Sequence, residues 1–320
     1  MPLIESTYRP PPGFANGHVQ SIVPALWRRV PEVMTERIRI ETPDDDVLDL
    51  DCVKKGADRV VIISHGLEGS ARQAYVQGMA LALVRHGWDV IAWNCRGCNG
   101  EMNRQLRFYH SGASEDLSVV VDYALECAAW REVALVGFSL GGNITLKYLG
   151  EQGEAVDARI QSSVTFSVPC DLAGSSVRLA HWSNRLYMER FMRSLRRKVR
   201  EKAAMFPGRL DLAGLGRVRT FREFDDRYTA PLHGFSDARD YWTRSGSIRF
   251  MDSIRVRTLL VNARDDPFLS AGCFPTNLAR DHDYLHFEAP RHGGHVGFVT
   301  FGNKGEYWSE TRAVEFLDER

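Results

Sequence analysis

The chain has 320 residues, of which 44% are hydrophobic and 26% charged, and this composition excludes a disordered or collagen-like protein. Its 41 basic and 41 acidic residues cancel, so the basic excess typical of a nucleic-acid binder is missing. Its six cysteines are too few for a disulfide scaffold.

The sequence favours a cytoplasmic location. The opening residues, MPLIESTYRPPP, do not follow a positive charge with an apolar stretch, as a signal peptide does. No apolar run approaches the ~18 residues that a membrane-spanning helix needs. Cys95 and Cys98 have CxxC spacing, but no second pair completes a zinc site, so we expect reduced cysteines that pack in a loop.

The first part of the chain predicts an arm and a strand pair. Residues 1–34 are rich in proline, and we expect an extended arm without regular structure. Residues 35–42 and 47–53 alternate polar and apolar side chains, which is typical of antiparallel strands. Three successive aspartates lie in the turn at 44–46, where we expect solvated carboxylates.

From residue 59 onward, short apolar runs alternate with segments whose apolar residues recur at helical spacing. The expected strands are 60–63, 89–93, 133–138, 163–168, 257–261 and 284–287. The expected helices are 71–86, 117–128, 140–149, 274–279 and 306–317. Buried strands that alternate with amphipathic helices indicate an α/β fold, with a mostly parallel sheet and helices on both faces.

This alternation stops at 170–250, where helical segments occur without a convincing strand. We therefore expect a core in two parts, 35–169 and 251–320, that is interrupted by a helical insertion.

A candidate nucleophile lies in the sequence Gly-Phe-Ser-Leu-Gly at 137–141, between an expected strand and an expected helix. A serine at such a turn is held in a strained conformation that exposes its hydroxyl above the sheet edge. The glycines on either side leave room for neighbouring backbone, and Gly142 lets the helix approach the sheet. We therefore select Ser139.

A nucleophilic serine needs a base, and the base needs an orienting carboxylate. In folds with this serine turn, the acid follows the serine in the chain and the histidine comes last. Asp265 and Asp266 follow the strand at 257–261. We favour Asp266, because Pro-Phe-Leu after it matches the common form of this loop, and Asp265 is the alternative.

The candidate base lies in the loop after the last strand, which contains His292 and His295. We favour His295, because Gly293 and Gly294 give the loop the freedom to reach the serine. His292 is expected to be exposed. A zinc site formed by both histidines is a further alternative.

Acyl transfer also needs N–H donors for the negatively charged oxygen of the tetrahedral intermediate. The backbone N–H of Leu140, directly after the serine, is one candidate donor. The second is Leu67, in the loop His-Gly-Leu-Glu-Gly at 65–69, where Gly66 permits a tight turn. We expect His65 to shape that loop.

Seven segments along nearly the whole chain resemble one family, the YheT-like branch of the α/β-hydrolase superfamily, which includes abhydrolase-domain esterases. They are FANGHVQ at 14–20, HGLEG at 65–69, NCRGC at 94–98, FYHSG at 108–112, GFSLG at 137–141, DDPF at 265–268 and GGHVGF at 293–298. The resemblance implies the α/β-hydrolase fold with a helical lid insertion. Eukaryotic relatives are membrane-anchored, and the sequence departs from them in this respect.

The resemblance also implies a serine esterase that cleaves carboxylic esters through an acyl-enzyme, with Ser139, Asp266 and His295 as its triad. Neither a cofactor nor a metal is expected. Two alternatives are an acyltransferase that uses the same triad and a non-catalytic ligand-binding protein of this fold. The natural ester, its chain length and the oligomeric state are not encoded in any motif.

Within the insertion, residues 185–202 combine eight basic residues with apolar residues at helical spacing. Such a helix can contact an anionic membrane surface peripherally or steer an anionic acyl substrate, or it can be solvated on a basic side that pairs with acidic residues elsewhere. We expect the insertion to be a lid that controls acyl-chain preference, with Leu186, Met188, Phe191 and Met192 as its apolar residues. The expected ligand is a small-molecule or lipid-like ester.

Overall fold

The computed structural model describes residues 2–301 and 305–319, and within them nine strands form one sheet. The strands are β1 (Leu3–Ile4), β2 (Glu36–Thr42), β3 (Asp46–Val53), β4 (Arg59–Ser64), β5 (Asp89–Asn94), β6 (Glu132–Phe138), β7 (Ile160–Phe166), β8 (Arg257–Val261) and β9 (Leu285–Glu288). Their order is β1-β9-β8-β7-β6-β4-β5-β3-β2. β3 pairs antiparallel with β2 and β5, and the pairs from β5 to β1 are parallel.

The described helices lie on both faces of the sheet and in the region between β7 and β8. They are α1 (Gly17–Trp27), α2 (Ala74–Arg85), α3 (Ser114–Glu126), α4 (Leu140–Gln152), α5 (Leu172–Ala180), α6 (Arg185–Met205), α7 (Phe221–Phe224), α8 (Ala230–Leu232), α9 (Ala238–Ser245), α10 (Thr276–Arg280) and α11 (Trp308–Asp318). A π-helical turn, Asp225–Thr229, joins α7 to α8. None of the described helices is long and apolar enough to span a membrane.

The alternation of side chains along β4 explains the two layers of helices. Val60 and Ile62 belong to the core beneath α3 and α4, whereas Val61 and Ile63 belong to the core beneath α2 and α11. All four side chains are fully buried, and burial of each contributes ~1.5–3 kcal/mol. A strand that is buried on both faces reads as a continuous apolar run, and the predicted α/β fold is confirmed.

The N-terminal part contains regular structure that the sequence analysis did not predict. β1 extends the sheet beside β9, and α1 begins after Asn16. The side-chain oxygen of Asn16 accepts hydrogen bonds from the N–H groups of His18 and Val19, which would otherwise lack partners. The expectation of an arm without regular structure is therefore wrong for Gly17–Trp27.

The aspartates between β2 and β3 are not all solvated, which corrects a second expectation. Asp46 is fully buried and accepts a hydrogen bond from Arg96 at 2.8 Å. Asp44 and Asp116 accept from the same guanidinium at 2.9 and 2.7 Å. Of the three turn aspartates, Asp45 alone has the exposed side chain that we expected.

Helices α5–α9 lie between β7 and β8, where the sequence predicted a helical insertion. They surround a smaller apolar core of their own, to which α6 contributes Met188, Met192, Leu195 and Val199. Two of the eight basic residues of α6, Lys198 and Lys202, are buried rather than solvated. The role of this region as a lid stays a prediction.

Candidate active site

Ser139 lies at a sharp turn between β6 and α4. Its φ of 52° and ψ of −119° are values that residues other than glycine rarely adopt. A Cβ on Gly137 would lie 2.5 Å from Cα of Gly142, so this turn requires glycine. Ser139 N–H donates to the carbonyl of Phe166 on β7 at 2.9 Å. The turn therefore holds the hydroxyl above the carboxyl end of the sheet.

The imidazole of His295 connects Ser139 to Asp266. Its Nε2 lies 2.9 Å from Ser139 Oγ, and its Nδ1 lies 2.9 Å from Asp266 Oδ2. An ionised carboxylate only accepts hydrogen bonds, so we place the proton on Nδ1. Nε2 is then free to accept the serine proton. The ring also packs against Phe268, with centroids 4.1 Å apart, and this contact limits its rotation.

The carboxyl group of Asp266 is buried and has two hydrogen-bond donors. Phe268 N–H donates to Oδ1 at 2.8 Å, while Oδ2 faces His295. Burial raises the pKa of Asp266, and His295 opposes this effect. The side chain of Asp266 is fully buried, so it acts on the pocket through the imidazole of His295.

Asp265 has a different role in the loop geometry. Its Oδ1 accepts a hydrogen bond from Gly294 N at 2.9 Å, and its Oδ2 lies 3.1 Å from Nδ1 of His292. The structure thus brings Asp266 to His295, and Asp265 to His292. His292 lies beside the carboxylate of Asp265 and its side chain is 23% exposed, so the expectation of an exposed loop residue is wrong.

Ser21, which the sequence analysis missed, positions the histidine loop. Its Oγ accepts a hydrogen bond from His295 N at 2.8 Å and donates to the carbonyl of Gly17 at 2.6 Å. Ser21 and Gly17 both belong to α1, so the unpredicted helix lies directly against the candidate base. The capping residue Asn16 could have indicated the helix, but no local signal connects it to residue 295.

The loop after β4 places Leu67 beside the serine. A Cβ on Gly66 would lie 3.2 Å from Cβ of Ser139, so the two segments are in close contact. Leu67 and Leu140 line the same pocket as Ser139 and His295. Two backbone N–H groups beside a serine can stabilise negative charge on a ligand oxygen.

Tyrosine hydroxyls hold the amides on either side of Leu67. Gly66 N–H donates to the hydroxyl of Tyr75 at 2.9 Å, and Glu68 N–H donates to that of Tyr109 at 2.8 Å. These two bonds fix the loop on both sides of Leu67.

His65 is buried and neutral. Its Nε2 accepts the N–H of Cys95 at 3.1 Å, which leaves Nδ1 to donate to the carbonyl of Gly66 at 2.7 Å. Burial lowers the pKa of His65 to about 4. His65 therefore shapes the loop, as the sequence predicted.

A buried ion pair joins this loop to α6. Lys198 Nζ lies 2.8 Å from Oε1 of Glu68, and the side chains are 4% and 8% exposed. Tyr109 donates to the same oxygen at 2.7 Å, and the hydroxyl of Ser194 donates to Oε2. Burial opposes ionisation of Glu68, but the charge of Lys198 helps to lower its pKa. Lys198 also lies 3.0 Å from Cys98 Sγ, so this cysteine packs in a loop as expected.

A pocket with an empty volume of about 810 Å³, part of it open to solvent, is lined by Ser139 and His295. The insertion contributes most of its apolar wall, which includes Leu172, Leu179, Phe191, Leu195, Phe221 and Phe224. Of the α6 residues that we expected to be important, Phe191 lines the pocket, whereas Leu186 is 74% exposed. Met188 and Met192 are buried within the core of the insertion.

Known proteins resemble this chain over most of its length. The family described as the alpha/beta hydrolase fold matches residues 59–299. YheT of Escherichia coli (strain K12) is 34% identical over 313 residues, which cover 95% of this chain and 91% of YheT. Monoacylglycerol lipase of Saccharomyces cerevisiae is 27% identical over 292 residues, which cover 89% of this chain and 63% of the lipase.

Among solved structures, the Pyrococcus furiosus esterase Pf2001 matches 91% of this chain and 94% of its own, with a TM-score of 0.61. The two sequences are 17% identical, so this likeness shows the fold alone.

Proposed function

Because this chain belongs to the YheT-like branch of the α/β-hydrolase family, we propose that it is a serine esterase that cleaves carboxylic esters. The observation that carries the proposal is the hydrogen-bonded chain from Ser139 through His295 to Asp266, with 2.9 Å at both steps. A hydroxyl beside a base that is oriented by a buried acid is the arrangement that activates serine as a nucleophile.

In the proposed mechanism, Ser139 Oγ attacks the ester carbonyl while its proton passes to Nε2 of His295. Asp266 stabilises the imidazolium that forms and keeps the ring in place. The tetrahedral intermediate expels the alcohol, which takes the proton from His295, and an acyl-enzyme remains. Water then repeats these steps, with His295 as its base, and releases the acid.

The N–H groups of Leu67 and Leu140 are the proposed donors to the oxygen that becomes negatively charged. Leu140 begins α4, so its N–H also lies at the positive end of the helix dipole. Donors that are already in place need no reorganisation during the reaction, and removing one donor from such a site typically costs ~10²–10³ in kcat.

We also propose that the helices at 170–250 form a lid over the active site. The rest of the chain is then an N-terminal arm at 1–34 and a hydrolase core in two parts, 35–169 and 251–320. The apolar wall that these helices add to the pocket supports burial of an acyl chain away from water. A small-molecule or lipid-like ester fits this wall, and the yeast relative is named for a lipid substrate. A peripheral membrane contact of α6 stays a prediction.

Hydrolysis of p-nitrophenyl butyrate by the purified protein tests the proposal. We expect Ser139→Ala to lower kcat by about 10³-fold or more while the protein stays folded. Ser236→Ala, which changes an exposed serine, is the matched control and should keep the activity. Activity of Ser139→Ala close to that of the unmodified protein would contradict the assignment.

A further inference from the structure

Asp225 is a buried carboxyl group in the wall of the pocket that also contains Ser139 and His295. Asp225 is 6% exposed and is the first residue of the π-helical turn Asp225–Thr229. Turns of this kind are rare and occur frequently at functional sites. Asp225 has no role in the mechanism of ester hydrolysis proposed above.

The hydrogen bonds of Asp225 leave acceptor capacity unused. Thr229 Oγ1 donates to Oδ1 at 2.6 Å, and Trp242 Nε1 donates to Oδ2 at 2.8 Å. A carboxylate accepts about four hydrogen bonds, so each oxygen keeps a free lone pair. Within residues 2–301 and 305–319, no cationic side chain pairs with it, and burial raises the pKa of Asp225 to about 7.

Ser176 is a second polar group in the wall of this pocket. It lies on α5 and is 8% exposed, and its hydroxyl makes no hydrogen bond in the described part of the chain. α5 packs against α7 and α9. Asp225 directly follows α7, and its donor Trp242 lies on α9, so both polar groups lie in or next to helices that pack against one another.

Apolar side chains surround Asp225 and Ser176, so these two polar groups disfavour binding of a plain alkyl chain. Leu172, Phe221 and Phe224 line the same pocket from α5 and α7. An alkyl chain in this space would leave the serine hydroxyl and the second lone pair of each carboxyl oxygen without a hydrogen-bond partner. Burying a polar group that has no hydrogen-bond partner carries a free-energy penalty, which opposes the gain from the apolar contacts.

We propose that Asp225 and Ser176 recognise a hydroxyl group of the substrate, so that the pocket prefers hydroxylated esters to plain alkyl esters. The substrate hydroxyl donates to a free lone pair of Asp225, and Ser176 donates to the hydroxyl oxygen. This inference rests on the ester hydrolysis proposed above and narrows its substrate class. The hydroxyl can belong to the acyl chain or to the alcohol part, because both offer the same chemistry.

Two matched ester pairs separate these sources. The first pair, p-nitrophenyl 6-hydroxyhexanoate and p-nitrophenyl hexanoate, places the hydroxyl on the acyl chain. The second pair, glycerol monobutyrate and propyl butyrate, places it in the alcohol part. We expect kcat/KM of the unmodified protein to favour the hydroxylated member of one pair by about tenfold or more, since sites built for a hydroxyl discriminate strongly.

Substitutions then connect that ratio to the two residues. Asp225→Leu and Ser176→Ala should each bring the ratio close to one, a result that general damage to the fold would not produce. Asp226→Asn is the control, because this neighbouring carboxylate accepts from Ala238 N and does not line the pocket. It should keep the ratio of the unmodified protein.

A ratio near one for both pairs in the unmodified protein would overturn the inference, and so would a ratio that survives both substitutions. Ser176→Ala keeps the test decisive if Asp225→Leu does not fold. Dissociation constants of the same esters for Ser139→Ala, measured by calorimetry, report recognition without turnover. If the unmodified protein hydrolyses none of the four esters, ester hydrolysis fails as the function, and the ratio of dissociation constants alone decides the role of Asp225.

Discussion

Asp265 and Asp266 are neighbours in the chain, but their carboxylates contact different histidines. Asp266 lies 2.9 Å from Nδ1 of His295, and Asp265 lies 3.1 Å from Nδ1 of His292. Asp266→Asn should therefore lower kcat by about 10⁴-fold, because an amide of the same shape stabilises the wrong tautomer of the imidazole. Asp265→Asn should be far milder. The kcat values of the two variants decide the matter, and a larger loss at Asp265 would reverse the assignment.

His65 makes stability depend on pH. The unfolded chain protonates this histidine near pH 6.5, whereas the folded protein protonates it only near the pKa of about 4 that burial imposes. Between these values the unfolded state binds more protons, so stability is lost as the pH falls from 6.5 to 4. Titration of His65 should lower the unfolding free energy by ~2 kcal/mol at pH 5 relative to pH 7.5.

Urea unfolding of the unmodified protein and of His65→Gln at both pH values measures this effect. Glutamine does not titrate, so the difference in unfolding free energy between the two proteins should shrink by ~2 kcal/mol at pH 5. An equal loss of stability in both proteins would show that His65 does not cause it.

The ion pair between Glu68 and Lys198 connects α6 to the loop that carries Leu67. Lys198→Met leaves a buried carboxylate without its cation, and this should lower the unfolding free energy by ~3–5 kcal/mol. It should also lower kcat, because the loop positions one of the proposed N–H donors. The double variant with Glu68→Gln should recover much of the stability, since both charges are then removed.

Arg197→Met is the matched control, because Arg197 is the neighbouring residue on α6 and its side chain is 68% exposed. It should change stability by less than ~1 kcal/mol. Similar losses in both single variants would show that the buried pair does not anchor the helix.

The apolar wall from α6 leads to a prediction about acyl-chain length. Leu195 lines the pocket, and Leu195→Trp should fill part of the space that a long acyl chain occupies. Each buried CH₂ contributes about 0.8 kcal/mol until the pocket is full, so kcat/KM should peak at a shorter p-nitrophenyl ester in this variant. Arg193→Trp, on the exposed side of α6, is the control. An unchanged preference in Leu195→Trp would show that α6 does not line the acyl site.

The elements that the sequence predicted share a strong local pattern. β4 and β8 are buried runs, and the predicted range of β8, 257–261, agrees with the structure. α1 was missed because three prolines shortly precede its capping residue Asn16 and Pro24 lies within the helix. Composition therefore suggested an irregular arm, although Asn16 caps a helix there.

The location of the candidate site follows from the strand order of the sheet. Leu67 follows β4, Ser139 follows β6, Asp266 follows β8 and His295 follows β9, and the carboxyl ends of parallel strands meet at one edge. This topology is why the sequence could bring distant segments into one predicted site. It does not determine which of two adjacent side chains in a loop faces the serine.

Pairs that join distant segments were beyond prediction for another reason. Arg96 with Asp46, Lys198 with Glu68, and Ser21 with His295 each connect residues that no local pattern relates. The position of Asp225 in the pocket wall could not be predicted either, because the fold creates that pocket from distant segments of the chain.

Ser139 is proposed to be an activated nucleophile, and covalent labelling tests this role most directly. The protein is treated with a fluorophosphonate probe at neutral pH, and the modified residue is located by mass spectrometry of the digested chain. We expect one probe per chain, attached to Ser139, with much slower labelling in His295→Ala because the base is lost. Labelling at another residue, or no labelling of a folded protein, would contradict the account.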